Sequence, residues 1–207
     1  MTRVILTRHG ETEWNINGLV QGTKDSPLTE AGIEQAKRLA ERLAQENIRI
    51  VISSPLGRAL ATARIIAERL NIPMLEYPEF REISFGQWEG KNWKDLREAE
   101  PRRFGEWEQN PHIFRFPEGE TFEEVFVRAK PKLWELCMEY PRDTICIVSH
   151  GVTLRVLVTY LMGFSLNDWR RTPWQPNTAL NIFEVSGDKI TQILVGDNSH
   201  IEVQSSK

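Results

Sequence analysis

The sequence predicts an α/β fold in which a parallel sheet is covered by helices. Short apolar runs, VILT at 4–7, IRIVISS at 48–54 and TICIVS at 144–149, have the length and β-branched content of buried strands. Stretches with apolar residues at helical spacing alternate with them, the pattern that builds strand–helix–strand units. Chemically similar residues, arginine and histidine, cluster just beyond these runs, and in open α/β sheets ligands gather outside the carboxyl ends of the strands.

Taken along the chain, Thr29 is placed to cap a helix, with Leu28 before it and Ile33 at the fourth helical position as a hydrophobic staple. Ala36, Leu39, Ala40 and Leu43 continue that helix on one face. Pro55, behind the second strand, fits a first helical position, where its missing N–H costs nothing; Leu56, Leu60, Ala63, Ala67 and Leu70 mark the apolar face. Residues 74–118 break the rhythm with Trp88, Trp93, Trp107, several prolines and mixed charge. They read as an excursion of short helices and loops, with 84–118 placed to cap a site. Helical spacing resumes over 120–140 through Phe122, Val125, Phe126, Ala129, Leu133 and Leu136, and Pro131 is expected to kink or divide it. A helix from about Thr153 to Met162 follows the third strand. Residues 178–185 and 189–196 read as two strands joined by a hairpin at Ser186–Gly187–Asp188, and the last seven residues are expected to be loosely held. No repeat or linker interrupts the chain, so 1–207 reads as a single domain.

With 207 residues, 40% of them apolar and 27% charged, the chain can bury one substantial core. A formal net charge of −3 and the lack of a long Lys/Arg block argue against a nucleic-acid partner. No run of apolar residues is long enough to span a membrane, and no signal-peptide pattern opens the chain, so a cytoplasmic protein is expected. Cys137 and Cys146 are not spaced as a metal or redox pair and are expected to be buried thiols.

Arg8 and His9 follow the first strand in TRHGET, Arg58 lies in the first turn of the helix after SSPLG, and His150 follows the third strand in VSHGVT. Helix N-termini at that rim offer free N–H groups and a favourable dipole, with Gly151 directly after His150. Gathering two arginines and two histidines costs desolvation energy unless an anion compensates it. A phosphoryl group suits the forked donors of arginine. Zinc suits poorly, because two arginines repel a cation and no third ligand accompanies the histidines; no metal or other cofactor is expected. A neutral imidazole is a nucleophile towards phosphorus, and neighbouring arginines disfavour its protonation. Both arginines would stabilise the equatorial oxygens during transfer. The leaving alkoxide needs a proton. Glu82, in FREISFGQWEG, leads the candidates, with Glu11, Glu13, Glu79 and Glu89 in competition; burial or the phosphate's charge would favour the protonated carboxyl. His112 and His200 fall in loop and tail and are read as non-catalytic, His200 being the better placed to approach the site.

The stretch Arg8-His9-Gly10-Glu11-Thr12-Glu13-Trp14-Asn15 resembles the signature of the histidine phosphatase superfamily, also called phosphoglycerate mutase-like. QGTKDSPLTEAGIEQA (21–36), SSPLGRALATA (53–63), REISFGQWEG (81–90) and VSHGVTLR (148–155) continue the likeness in order, and the region 91–118 matches least. The resemblance implies a three-layer α/β/α sandwich on a mostly parallel central sheet, without a required metal. It implies His9 as the phosphorylated nucleophile, Arg8, Arg58 and His150 as the rest of the phosphate pocket, and Glu82 as the proton donor. Asn15 and Gln21 resemble residues that contact or flank the phosphate, and Gly151 is taken with them.

REISFGQWEG and GDNSHIEV look most similar to the bacterial broad-specificity phosphatases, with α-ribazole phosphatases and metal-independent phosphoserine phosphatases close by. The phosphoserine enzymes carry a histidine where this chain has Phe85. Phe85, Trp88 and Trp107 would suit an apolar or aromatic leaving group, or equally ordinary core packing. The implied activity is hydrolysis of a small phosphorylated metabolite through a phosphohistidine. A phosphoglycerate mutase is the alternative, favoured by Arg102, Arg103 and Arg115; a pathway-specific phosphatase and a binding module without turnover are the others. A homodimer is the one macromolecular assembly kept open.

Overall fold

A computed structural model describes residues 1–202, so most of the expectation for the tail, on residues 203–207, lies outside the described residues. Six strands, β1 (Thr2–Arg8), β2 (Ile48–Ser53), β3 (Met74–Glu76), β4 (Thr144–Ser149), β5 (Leu180–Ser186) and β6 (Lys189–Asp197), form one sheet in the order β3-β2-β4-β1-β5-β6. The pairs β3-β2, β2-β4 and β4-β1 are parallel, while β5 and β6 extend the sheet antiparallel. The sheet is therefore mostly parallel, and β5 and β6 form the hairpin that the sequence indicated.

Strand alternation decides the layers. Val4 and Leu6 of β1 pack on one face with Leu133, Leu136, Leu154 and Leu157. Those partners come from α6 (Phe122–Glu139) and α7 (Gly151–Leu161). Ile5 points to the other face and packs with Leu39, Leu43, Ala63 and Ile66, from α2 (Glu30–Leu43) and α3 (Gly57–Leu70). Each such fully buried aliphatic side chain stabilises the fold by roughly 1.5–3 kcal/mol. The result is helices on both faces of a central sheet. A third cluster, built around Trp88, Phe104, Phe114 and Phe116, gives the excursion its own core. It carries α4 (Trp93–Ala99) and α5 (Pro101–Gln109), and a single-turn α1 (Glu13–Ile16) completes the rim.

Several boundaries differ from the sequence expectation, each for a physical reason. Met74–Glu76 is a parallel edge strand against Val51–Ser53; three residues of mixed polarity carry too short a pattern to be read as one. Pro55 lies ahead of α3 rather than inside it, because the cap comes from another part of the chain: the Asp25 carboxylate accepts from the Gly57 and Arg58 N–H groups. α7 starts at Gly151 with His150 as its N-cap, two residues before the expected start. α6 runs undivided through Pro131. Pro131 and Val127, whose carbonyl the proline leaves unpaired, are both exposed, so water can satisfy that group. Thr29 caps α2 as expected, accepting from the Gly32 N–H at 2.9 Å. Cys137 and Cys146 are buried free thiols, pushed by burial up to about 11 and about 12 respectively.

Beyond β1 the chain presses against α2. A Cβ on Gly10 would meet the Gly32 carbonyl oxygen, and a Cβ on Gly32 would meet the Glu11 carbonyl oxygen. Backbone touches backbone there, which only glycine permits. Gly32→Ala is expected to cost about 1–3 kcal/mol through overpacking, read as a lower urea midpoint. A midpoint equal to the wild type's would show that the approach is not constrained.

Candidate active site

The parallel strands end level with one another, and that alignment assembles the site. Arg8 lies opposite Ser149, and Ser53 opposite Val148. Two further bonds carry the ladder past the strand ends, His9 N–H to the Ser149 carbonyl and Ser54 N–H to the Val148 carbonyl, both 3.0 Å. His9 and His150 consequently sit side by side, ring centroids 5.2 Å apart. Asn177, just before β5, donates to the His9 carbonyl at 3.0 Å and fixes its backbone from the other side.

His9 is buried and its tautomer is set by its neighbours. Nδ1 lies 2.7 Å from the Gly10 carbonyl oxygen. That oxygen can only accept, so Nδ1 carries the proton and the lone pair is on Nε2. Arg58 donates to Nε2 from its own Nε at 3.2 Å. The remaining Arg58 donors go to the carbonyls of Gly22 and Lys24 and to Asp25 Oδ1, the last at 3.1 Å. One loop, residues 22–25, therefore holds the guanidinium rigidly while it is almost entirely buried. Arg8 donates to the Gln175 carbonyl at 2.8 Å, and its buried Nε has no partner among the described residues. His150 bonds Ser54 Oγ through Nε2 at 2.7 Å, and its Nδ1 is likewise without a partner.

Glu82 is held where helix and carboxylate suit one another. It accepts from the N–H groups of Ile83, Val152 and Thr153 and from the Thr153 hydroxyl, at 3.0–3.2 Å. Val152 and Thr153 open α7, so the helix dipole adds to the attraction. Arg128 braces the segment behind it, donating to the Glu79 and Glu82 carbonyls and to Glu120. Burial would raise Glu120, but the Arg128 bond and charge, the Ser84 N–H and Arg81 outweigh it and hold that carboxyl below its usual range.

A cavity of about 530 Å³ opens over these groups. Arg8, His9, Asn15, Gln21, Arg58, Glu82, Phe85, Trp107 and Gly151 all line it. His150 does not; it is fully buried behind the cavity wall, against His9. Trp88 is also absent from the wall, being the fully buried centre of the aromatic cluster. Of the competing acids none lines the cavity: Glu11 bonds Thr29, Glu89 bonds Thr23 and the Phe85 N–H, Glu13 is exposed in α1, and Glu79 packs elsewhere. Arg102, Arg103 and Arg115 pair with Glu106, Glu100 and Glu124 on the exterior. His200 reaches Thr178 at 3.1 Å, behind the site, and His112 takes no part. Sequence reasoning missed Asp25, Arg155, Trp169 and Trp174. Asp25 lies inside the QGTKDSPLTEAGIEQA stretch and Arg155 closes the VSHGVTLR stretch, which are the signals that could have found them; Trp169 and Trp174 lie beyond any motif.

Electrostatics follow from this crowding. His9 is held well below its ordinary value by burial, then by Arg58 and Arg8. Burial, Arg58, His9 and Arg8 do the same to His150. Burial lowers Arg8 to about 10 against the opposing charge of Glu82. The imidazoles are neutral, and the guanidiniums supply the positive field. Among the described residues no group of three or more His, Cys, Asp or Glu could hold a metal ion, and no helix is long and apolar enough to cross a membrane.

This geometry coincides with a family match. A model described as "Histidine phosphatase superfamily (branch 1)" covers residues 4–198. The chain belongs to the histidine phosphatase superfamily. It is 37% identical over 167 residues to "Phosphoserine phosphatase 1" of Hydrogenobacter thermophilus, covering 81% of this chain and 79% of that one. It is 38% identical over 172 residues to "Probable phosphoglycerate mutase GpmB" of Yersinia pestis, covering 83% and 80%. Among solved structures, Bacillus stearothermophilus YhfR superposes with a TM-score of 0.92 at 37% identity, over 97% of this chain and 100% of that chain. The α-ribazole phosphatase of Shigella flexneri gives 0.85 at 28% identity, over 95% and 97%. The three-layer fold read from the signature is thus the fold of the family.

The depressed histidines carry a stability signature. In the unfolded chain they take up protons near pH 6.5; in the folded superfamily site His9 and His150 do so only well below that. Between those values the unfolded chain binds more protons. Stability is therefore full above about pH 6.5 and falls as pH drops, by about 1.4 kcal/mol per pH unit for each histidine. His9→Asn is expected to flatten the slope by that amount in urea unfolding between about pH 5 and 6. Identical slopes would contradict it.

Proposed function

We propose that the chain is a cytoplasmic, metal-independent phosphomonoesterase that hydrolyses a small phosphorylated metabolite through a phosphohistidine at His9. The observation that carries this reading is the Nδ1–H to Gly10 carbonyl bond, which leaves the Nε2 lone pair as nucleophile at the cavity floor. The monoester's phosphoryl oxygens take the buried Arg8 Nε and the Gly151 N–H, and compete with His9 for Arg58 Nε. Nε2 attacks phosphorus and the bond to the ester oxygen breaks. Glu82, in its protonated form, gives its proton to the departing alkoxide. In the second half Glu82 accepts a proton from water, the water oxygen bonds phosphorus, the P–N bond breaks, and phosphate leaves. The arginines stabilise the charge on the transferring group in both halves.

Hydrolysis is favoured over transfer to a second glycerate by the cap. The arginines that would have supported a mutase, Arg102, Arg103 and Arg115, are outside the cavity and paired with carboxylates. Phe85, Trp93, Phe104 and Trp107 stand there instead. Phe85 packs edge-on to Trp93 and Phe116, centroids 5.6 and 4.7 Å away, so its ring is a fixed apolar wall. That wall supports an apolar or aromatic leaving group over serine.

Phosphate release from a panel of monoesters, with chelator present, tests the reading. Wild type is expected to hydrolyse several esters, aryl esters best, and folded His9→Ala to lose at least ~1000-fold in turnover. Full turnover in His9→Ala would overturn the mechanism, and interconversion of phosphoglycerates without phosphate release would replace hydrolysis by transfer.

A further inference from the structure

Four arginines line the cavity at its described wall, and three have a carboxylate to answer them. Arg58 pairs with Asp25 at 3.1 Å, Arg97 with Glu108 at 2.5 Å, and Arg8 feels Glu82 across Gly151. Arg155 has no carboxylate within ion-pair distance among the described residues. Its Nε is buried without a hydrogen-bond partner. Burial alone brings its guanidinium down to about 10, with no charged neighbour contributing.

The side chain is nevertheless held in place. Its guanidinium carbon lies 4.2 Å from the centre of the Trp169 ring, and it donates to the Thr172 carbonyl at 3.2 Å. Thr172 is tied back to α7 by a hydroxyl–hydroxyl bond to Thr159 at 2.7 Å, and Thr159 in turn donates to the Arg155 carbonyl at 2.6 Å. Helix, aromatic ring and loop thus form a closed clamp around one uncompensated cation. Leaving a half-buried charge without a counter-charge costs free energy that an arriving anion would recover. Stacking on Trp169 pre-orients the planar fork for such a partner. Arg155 stands one turn of α7 beyond Gly151, ~6 Å along the helix by the rise per residue, on the same cavity wall. That offset sets it on the cavity wall away from the Gly151 end of α7.

We propose that Arg155, clamped against Trp169, recognises an anionic substituent on the leaving group, so that the substrate is a monoester carrying a second negative group beyond an apolar or aromatic frame. This rests on the phosphomonoesterase reading and adds to it a residue that selects the substrate. A carboxylate and a second phosphorus oxyanion share the required chemistry, and the test separates them.

Wild type, Arg155→Met and Arg155→Lys are compared on phenyl phosphate, the three carboxyphenyl phosphates and the matching phosphonophenyl phosphates. At least one anionic ester is expected to exceed phenyl phosphate in kcat/KM by tenfold or more in wild type, mainly through KM. Arg155→Met should reduce that preference about tenfold, and Arg155→Lys should keep part of it. A wild type without preference for any anionic ester overturns the proposal. So does an Arg155→Met variant that loses the same factor on every ester, which would mark a structural role. Calorimetric binding of benzylphosphonate against its carboxylated analogues reads the same selectivity without turnover. Absence of hydrolysis with that selectivity intact would refute the phosphatase reading and support Arg155; selectivity unchanged in Arg155→Met would refute Arg155 alone.

Discussion

The hydrogen bond from Arg58 Nε to His9 Nε2, 3.2 Å long, is the contact on which the rest of this site depends. It brings a guanidinium against the atom that must stay unprotonated, and it does so inside a buried cluster that also contains Arg8 and His150. Such an arrangement is costly unless every other donor is answered. Arg58 meets that demand with two backbone carbonyls and Asp25, and Asp25 also caps the helix that carries Arg58. Placement of the cation and capping of the α3 N-terminus are one structural event.

The sheet supplies the precision. β1, β2 and β4 run parallel in register, so the residues after their last ladder bonds fall on one rim without any loop having to search for it. The glycines at 10 and 32 let the loop after β1 touch α2 backbone to backbone, which leaves His9 little freedom. On the opposite side the Arg128–Glu120 pair, largely buried, holds residues 79–84 so that Glu82 caps α7. The groups around His9 and those around Glu82 are thereby fixed by different elements.

The floor was legible in the sequence and the cap largely was not, for reasons visible in individual residues. VILT, IRIVIS and TICIVS are buried on both faces, so their apolar content declares them. Arg8, His9, Arg58 and Glu82 sit within short ordered motifs, and all reach the cavity. His150 sits beside His9 yet lies behind the wall rather than in it, a distinction of depth that spacing along the chain does not carry. Phe85 and Trp88 are three residues apart and alike in chemistry, but one lines the cavity and the other fills the core. Arg155 closes the VSHGVTLR stretch, but its setting comes from Trp169 and Thr172, which the chain brings back only after α7 has ended.

In the proposed reaction the phosphoryl group passes through Nε2 of His9. The direct measurement is rapid mixing with an aryl phosphate, an alkaline quench that preserves phosphohistidine, and assignment of the modified atom by phosphorus NMR with peptide mass spectrometry. Phosphate is expected on His9, at Nε2, because Nδ1 is committed to the Gly10 carbonyl. Phosphate on Nδ1 or on another residue, or turnover with no phosphoenzyme at any time after mixing, would contradict it.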